Sequence, residues 1–184
     1  MTGTETDAPL AKTVLHPLHA ELGAKLVPFA GYEMPVSYPM GVMGEHLHTR
    51  EKAGLFDVSH MGQVSLTGPD ADAALERLVP VDVAGLKDGR QRYALFTDAG
   101  GGILDDLMVA RKGERLFLVV NAARKAEDLA HLRAGLPGIA VEEHADRALL
   151  ALQGPMAEDV LAELVPGVRT MRFMDVADAT WEGA

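Results

Sequence analysis

The segment DAGGGILDDLMVAR, Asp98 to Arg111, joins a glycine-rich turn to an apolar run that carries two adjacent acids. Gly100, Gly101 and Gly102 supply the positive-φ positions that a tight reversal needs, and Ile103 to Ala110 reads as a buried strand. Side chains alternate along a strand. Asp105 therefore shares a face with Ile103, Leu107 and Val109, and Asp106 shares one with Leu104, Met108 and Ala110. On this reading the two carboxylates do not face each other. An ionised acid among apolar neighbours is costly unless it is hydrogen-bonded or keeps its proton, so a raised pKa is expected for either. The competing reading is an Asp that caps backbone amides beside a hairpin or faces water. The glycines do not form a phosphate loop, because no Lys-Ser/Thr follows and they open a strand rather than a helix.

Working outward, Arg92 to Thr97 and Leu116 to Val120 read as flanking strands, with a turn at Lys112-Gly113-Glu114. Asn121 precedes a helix, Ala122 to Leu136, whose inner side carries Leu129, Leu132 and Leu136; its position suits an N-cap. Strands follow at Ile139 to His144 and Ala148 to Leu152. Upstream, the spacing predicts a helix over Thr13 to Leu26, an ordered non-repetitive loop through Gly31 to Pro39, and a helix from Gly44 to Gly54. A strand from Leu55 to Leu66 comes next, with a kink at Gly62. Thr67-Gly68-Pro69-Asp70-Ala71 is echoed at a constant offset by Gln153-Gly154-Pro155-Met156-Ala157, each followed by an amphipathic helix ending in Val-Pro. The order β-α-β-β-β-α-β-β-α predicts an α+β fold of antiparallel sheets flanked by helices.

With 184 residues the chain can bury a sizeable core, and a net charge of −10 without a basic stripe argues against nucleic-acid binding. The absence of cysteine excludes disulfides, thiolate catalysis and Cys-ligated zinc. His46 and His48 would lie on different sides of a helix, and Asp57, Ser59 and His60 are too close along a strand for a catalytic triad, so neither a metal site nor a triad is expected. No signal peptide and no membrane span are recognisable, which makes a cytoplasmic location the default expectation. Residues 1–12 read as a disordered leader, and Trp181 near the end suggests an interrupted domain.

Phe29-Ala30-Gly31-Tyr32-Glu33-Met34-Pro35, Gly54-Leu55-Phe56-Asp57-Val58-Ser59-His60-Met61-Gly62, Gly101-Gly102-Ile103-Leu104-Asp105-Asp106-Leu107, Val119-Val120-Asn121-Ala122 and Ala151-Leu152-Gln153-Gly154-Pro155 occur in the order and spacing of one family. Through them the chain closely resembles aminomethyltransferase, the T-protein of the glycine cleavage system, over about residues 15 to 170. The resemblance implies the N-terminal portion of a three-domain, folate-binding cloverleaf. Its parts would be an N-terminal segment of the first domain at 13–54, an α+β domain with the Asp-Asp strand at 55–145, and a return segment, incomplete at its C-terminal end, at 146–184.

The activity implied is transfer of the one-carbon unit of an aminomethyl group, carried on the lipoyl arm of the H-protein, to tetrahydrofolate, with release of ammonia. Asp106 matches the family's key acid, and Met61, Tyr93, Val119 and Asn121 match positions of the folate pocket. No metal is implied. Family members are about twice as long and carry a Gly-Tyr-Thr-Gly-Glu segment and tail-binding arginines that are absent here, so the resemblance also implies weak or no activity for this chain alone. The folate domain of dimethylglycine or sarcosine dehydrogenases, an iron-sulfur assembly factor of the same superfamily, and a non-catalytic binding or assembly module remain alternatives.

Overall fold

The computed structural model describes residues 9–182. In chain order its elements are α1 (His16–Glu21), β1 (Lys25–Phe29), β2 (Tyr32–Ser37), α2 (Gly41–Glu51), β3 (Gly54–Asp57), β4 (Gly62–Thr67), α3 (Ala71–Leu75), β5 (Gln91–Thr97), β6 (Ile103–Lys112), β7 (Arg115–Val120), α4 (Lys125–Gly135), β8 (Ala140–Glu143), β9 (Leu150–Gln153) and α5 (Ala157–Ala162). Five strands form one antiparallel sheet in the order β5-β6-β7-β4-β8, while β1-β2 and β3-β9 are separate antiparallel pairs. The architecture is α+β, as the order of elements predicted.

The sheet has one apolar face because each strand alternates. Val64, Leu66, Ala94, Phe96, Leu107, Val109, Leu116, Leu118 and Val120 point inward together and meet Ala74, Leu75, Val79, Val83, Leu129, Leu132 and Leu136 from the helical layer. Burying each Val, Leu or Phe side chain contributes about 1.5–3 kcal/mol. That packing fixes the register of every strand, since a one-residue slip would turn the apolar set outward.

Several boundaries differ from the sequence reading, each for a local reason. The helix expected over Thr13 to Leu26 stops at Glu21: Gly23 takes φ +73°, and Lys25 onward pairs as a strand. The loop expected through Gly31 to Pro39 is largely the second arm of a hairpin, turned by Ala30 (φ 49°) and Gly31 (φ 81°) in the manner of a two-residue primed turn. Pro28 and Pro35 are tolerated because a two-stranded ribbon leaves edges that need no donor. The strand expected from Leu55 to Leu66 is two strands, broken where the Met61 amide donates to the Val58 carbonyl (3.0 Å). Of the expected leader, residues 1–8 lie outside the described residues, and Ala11 forms a parallel bridge to Tyr32. The Gly-Pro echo is real in three dimensions: β4 passes through Gly68-Pro69 into α3, and β9 through Gly154-Pro155 into α5, with φ +153° and +116° at the two glycines.

Asp57 ties the N-terminal segment to the rest. Its Oδ2 accepts from the Thr13 hydroxyl (2.7 Å) and the His19 Nε2–H (2.9 Å), its Oδ1 accepts from the Ser59 amide (2.9 Å), and Tyr38 donates its hydroxyl to His19 Nδ1 (2.8 Å). Burial alone would raise this carboxyl. The hydrogen bonds from Ser59, Thr13 and His19 outweigh burial and hold it at about 2. A carboxylate with a depressed pKa stabilises the fold above the ordinary aspartate value, about 4, and that contribution is lost as pH falls from there toward 2. Urea midpoints should therefore drop through that window in the parent chain and show a flatter acid limb in Asp57→Asn; parallel limbs would remove Asp57 from the acid response.

Candidate functional site

The sheet's other face is where the residues singled out by sequence meet. Tyr93, Met108 and Val119 are cross-strand partners on β5, β6 and β7, and Gln63 on β4 pairs with Val119, making one row across four strands. The next row toward the end of the sheet starts with the pair Leu95 and Asp106. Because Leu107 pairs with Val120 and Val120 with Gly62, Asn121 and Met61 stand one position further on and extend that row. Met61, Tyr93, Asp106, Val119 and Asn121 thus lie at one end of one face. Tyr93 is 65% exposed and Asp106 is exposed, while Met61, Met108, Val119 and Asn121 are half-buried, so the ledge opens to solvent at its Tyr93 and Asp106 end.

Two acids meet at this end in a way that strand alternation does not predict. β7 pairs with β6 only from Leu107 onward, so Asp105 and Asp106 project beyond it and lack a ladder neighbour on that side. Asp105 Oδ1 accepts from the Asp106 amide (2.9 Å). Asn121 Nδ2 donates to Asp105 Oδ1 (3.0 Å), to Asp106 Oδ1 (3.0 Å) and to the Asp106 carbonyl (3.1 Å). One amide therefore bridges both carboxylates. Asn121 is positioned at the start of a 3₁₀ turn, Ala122–Arg124, that leads into α4, yet its side chain makes no capping bond; it is committed to the acids instead.

The acid pushed upward is one the sequence reading passed over. Asp128, 2% exposed on the inner side of α4, is raised to about 7 by burial and then by the hydrogen bond and charge of Asp105, with Arg124 opposing and Glu127 adding. A signal for it was present. Asp128 lies four residues before Leu132 on the stripe that faces the core, where an acid needs a partner.

On the far side of the row, Met61 follows His60, which is buried against Phe29 and Tyr32 in edge-to-face contacts (ring centroids 5.6 and 6.1 Å). Burial holds the His60 imidazole below its ordinary pKa, with Asp57 opposing and Lys125 adding. Lys125 Nζ donates to the Tyr32 hydroxyl (3.0 Å) and the His60 carbonyl (3.4 Å), locking the β1-β2 hairpin to α4. Ser59 exchanges hydrogen bonds with the Leu149 backbone, and Asp57 is engaged as above, so Asp57, Ser59 and His60 form no triad.

Chemically, the face offers an apolar ledge of ring, thioether and isopropyl groups with carboxylate acceptors at one end. That suits a flat heteroaromatic ring carrying N–H donors, which would stack on the ledge and hydrogen-bond to Asp106.

Comparison with known proteins gives the family. Residues 15–184 match the family described as GCVT N-terminal domain. The chain is 41% identical over 185 residues to the mitochondrial aminomethyltransferase of Dictyostelium discoideum, covering 95% of this chain and 46% of that protein. It is 49% identical over 161 residues to the aminomethyltransferase of Rubrobacter xylanophilus, covering 86% of this chain and 43% of the relative. Among solved structures, the glycine cleavage system aminomethyltransferase T of Bartonella henselae superposes with a TM-score of 0.86 at 44% identity, over 91% of this chain and 47% of that one. The chain spans less than half the length of these relatives. With the match running from residue 15 to the last residue and the same fold in the solved relative, the chain belongs to the GCVT N-terminal domain family.

Proposed function

We propose that this chain forms the folate-contacting portion of an aminomethyltransferase of the glycine cleavage system. The observation that carries this reading is the gathering of Met61, Tyr93, Asp106, Val119 and Asn121 on one open face. In this reading tetrahydrofolate supplies the two nitrogens that take up the one-carbon unit as a methylene bridge, while ammonia leaves and the lipoyl arm of the H-protein is left as the dithiol. The protein's own groups bind and orient. Tyr93, Met108 and Val119 offer the flat apolar floor, and Asp106 accepts hydrogen bonds from the ring and holds or releases a proton as charge shifts on it. Asn121 fixes the Asp106 carboxylate in place before anything binds.

Turnover needs more than this floor. A ligand ring lying on an open ledge is buried on one side only, and the remaining wall and the cations for a polyglutamate tail belong to the rest of a longer protein. The isolated chain is expected to turn over weakly or not at all. The test is equilibrium binding of tetrahydrofolate to the 184-residue chain. Saturable binding, displaced by an unreactive folate, is the expected result; no binding to a cooperatively folded chain would remove the floor as a self-sufficient folate surface.

A further inference from the structure

The contacts behind Asp106 run inward through Asn121 and Asp105 and end on a buried acid of the helical layer. We propose that Asp105 and Asp128 hold one proton between them, and that this pair, acting through Asn121, positions the Asp106 carboxylate and sets the charge it feels. Asp128 is then a positioning residue, and its bearing on catalysis rests on the folate reading above.

The geometry assigns each oxygen. Asp105 Oδ1 is occupied by the Asn121 amide and the Asp106 N–H. Asp105 Oδ2 and Asp128 Oδ2 are both buried and, among the described residues, have no hydrogen-bond partner. Asp105 is the side chain that acts most on Asp128, close enough for a hydrogen bond between the two carboxyls. Two carboxylates offer only lone pairs, so that bond exists only with a proton in it. The charged groups acting on Asp128 are Asp105 from β6 and Arg124 and Glu127 beside it in its own helical segment; the one cation does not cancel the two acids. The proton is accordingly retained into the neutral range on Asp128, whose carboxyl is raised to about 7 by burial and by Asp105.

Loss of that proton puts two anions in contact in a buried setting. Asp105 must then turn or draw harder on the Asn121 amide, which Asp106 shares through the same nitrogen. Asp106 would thus sit in one arrangement below neutrality and another above it.

Carboxyl-carbon NMR of the aspartate-labelled chain, followed from about pH 5 to 9, reads this directly. The expected record is one step near neutrality at Asp128 and a matching smaller step in the Asp106 signal. Asp128→Asn keeps a donor toward Asp105 and has nothing to titrate, so both steps should vanish while unfolding stays cooperative. An Asp106 signal with no inflection near neutrality in the parent, or one that persists in Asp128→Asn, overturns the proposal; the parent record decides even if the variant does not fold. Tetrahydrofolate titration of the same samples separates the two readings. Linked steps without binding remove the floor as a self-sufficient folate surface and leave this proposal standing, and binding without linked steps sinks this one alone.

Discussion

Asp106→Asn, placed in a protein that carries both halves, is expected to reduce transfer to tetrahydrofolate by about 10²–10⁴-fold, the usual worth of a positioned proton-transferring group. The substitution is nearly isosteric, and the new amide oxygen can still accept from Asn121 Nδ2, now 3.0 Å from Asp106 Oδ1. Asp106 is exposed and outside the core, so the stability change should stay within about 0.5 kcal/mol. Loss of rate with an unchanged melting curve is the signature of a chemical role. Single-turnover transfer within a few-fold of the parent would take Asp106 out of the mechanism, whatever its effect on affinity.

Gly154→Ala carries the largest expected structural cost. A Cβ there would sit 2.4 Å from the Lys52 carbonyl oxygen and 2.5 Å from that of Thr49, at a backbone φ of +116°. Neither obstacle is a side-chain tip that can swing away. Both belong to the C-terminal end of α2, which the chain after β9 approaches so closely that the Met156 amide donates to the same Lys52 carbonyl (3.0 Å). Strain in φ adds about 1–3 kcal/mol and backbone displacement adds to it, so a loss on the order of 3 kcal/mol is expected. For a chain of this size that is a fall in Tm of roughly 6–12 °C. Gly113→Ala is the control: its φ is +63° with nothing within 4 Å of the added carbon, so only the conformational cost remains. Equal losses in the two variants would mean that the contact with α2 yields easily.

How much was legible in the sequence depends on how local the determining physics is. The alternation in β6 is set by residues one and two apart, so the face that Asp106 shares with Met108 could be read directly, whereas Met61, Tyr93, Val119 and Asn121 came through the family resemblance. The bridging of both acids by Asn121 could not be read. It arises because β7 ends one residue before the acids are reached, a fact of register between segments. A strand-like run from Leu55 to Leu66 likewise hid a change of partner, because β3 answers to β9, nearly a hundred residues away. The β1-β2 hairpin was obscured by prolines that argue against a strand interior and are harmless in a ribbon. Asp128 was legible only in part: its place four residues before Leu132 marks it as facing the core, but the acid it meets there comes from a distant strand.

The place of β4 in the sheet has a kinetic meaning. β5, β6 and β7 follow one another as hairpins and can pair as soon as they are made, but β4 lies between β7 and β8 and precedes both in sequence. It must wait, with Val64 and Leu66 unsheltered, until the chain has been extended past Val120. Its docking closes the longest loops of the sheet and is the slow, high-contact-order event. Met61 arrives with β4, while Asp106 and Asn121 already stand on the hairpins. Among the strands that bear the ledge, the last to find its place is therefore the one that completes it, so that a half-folded chain holds the acids without the surface beside them.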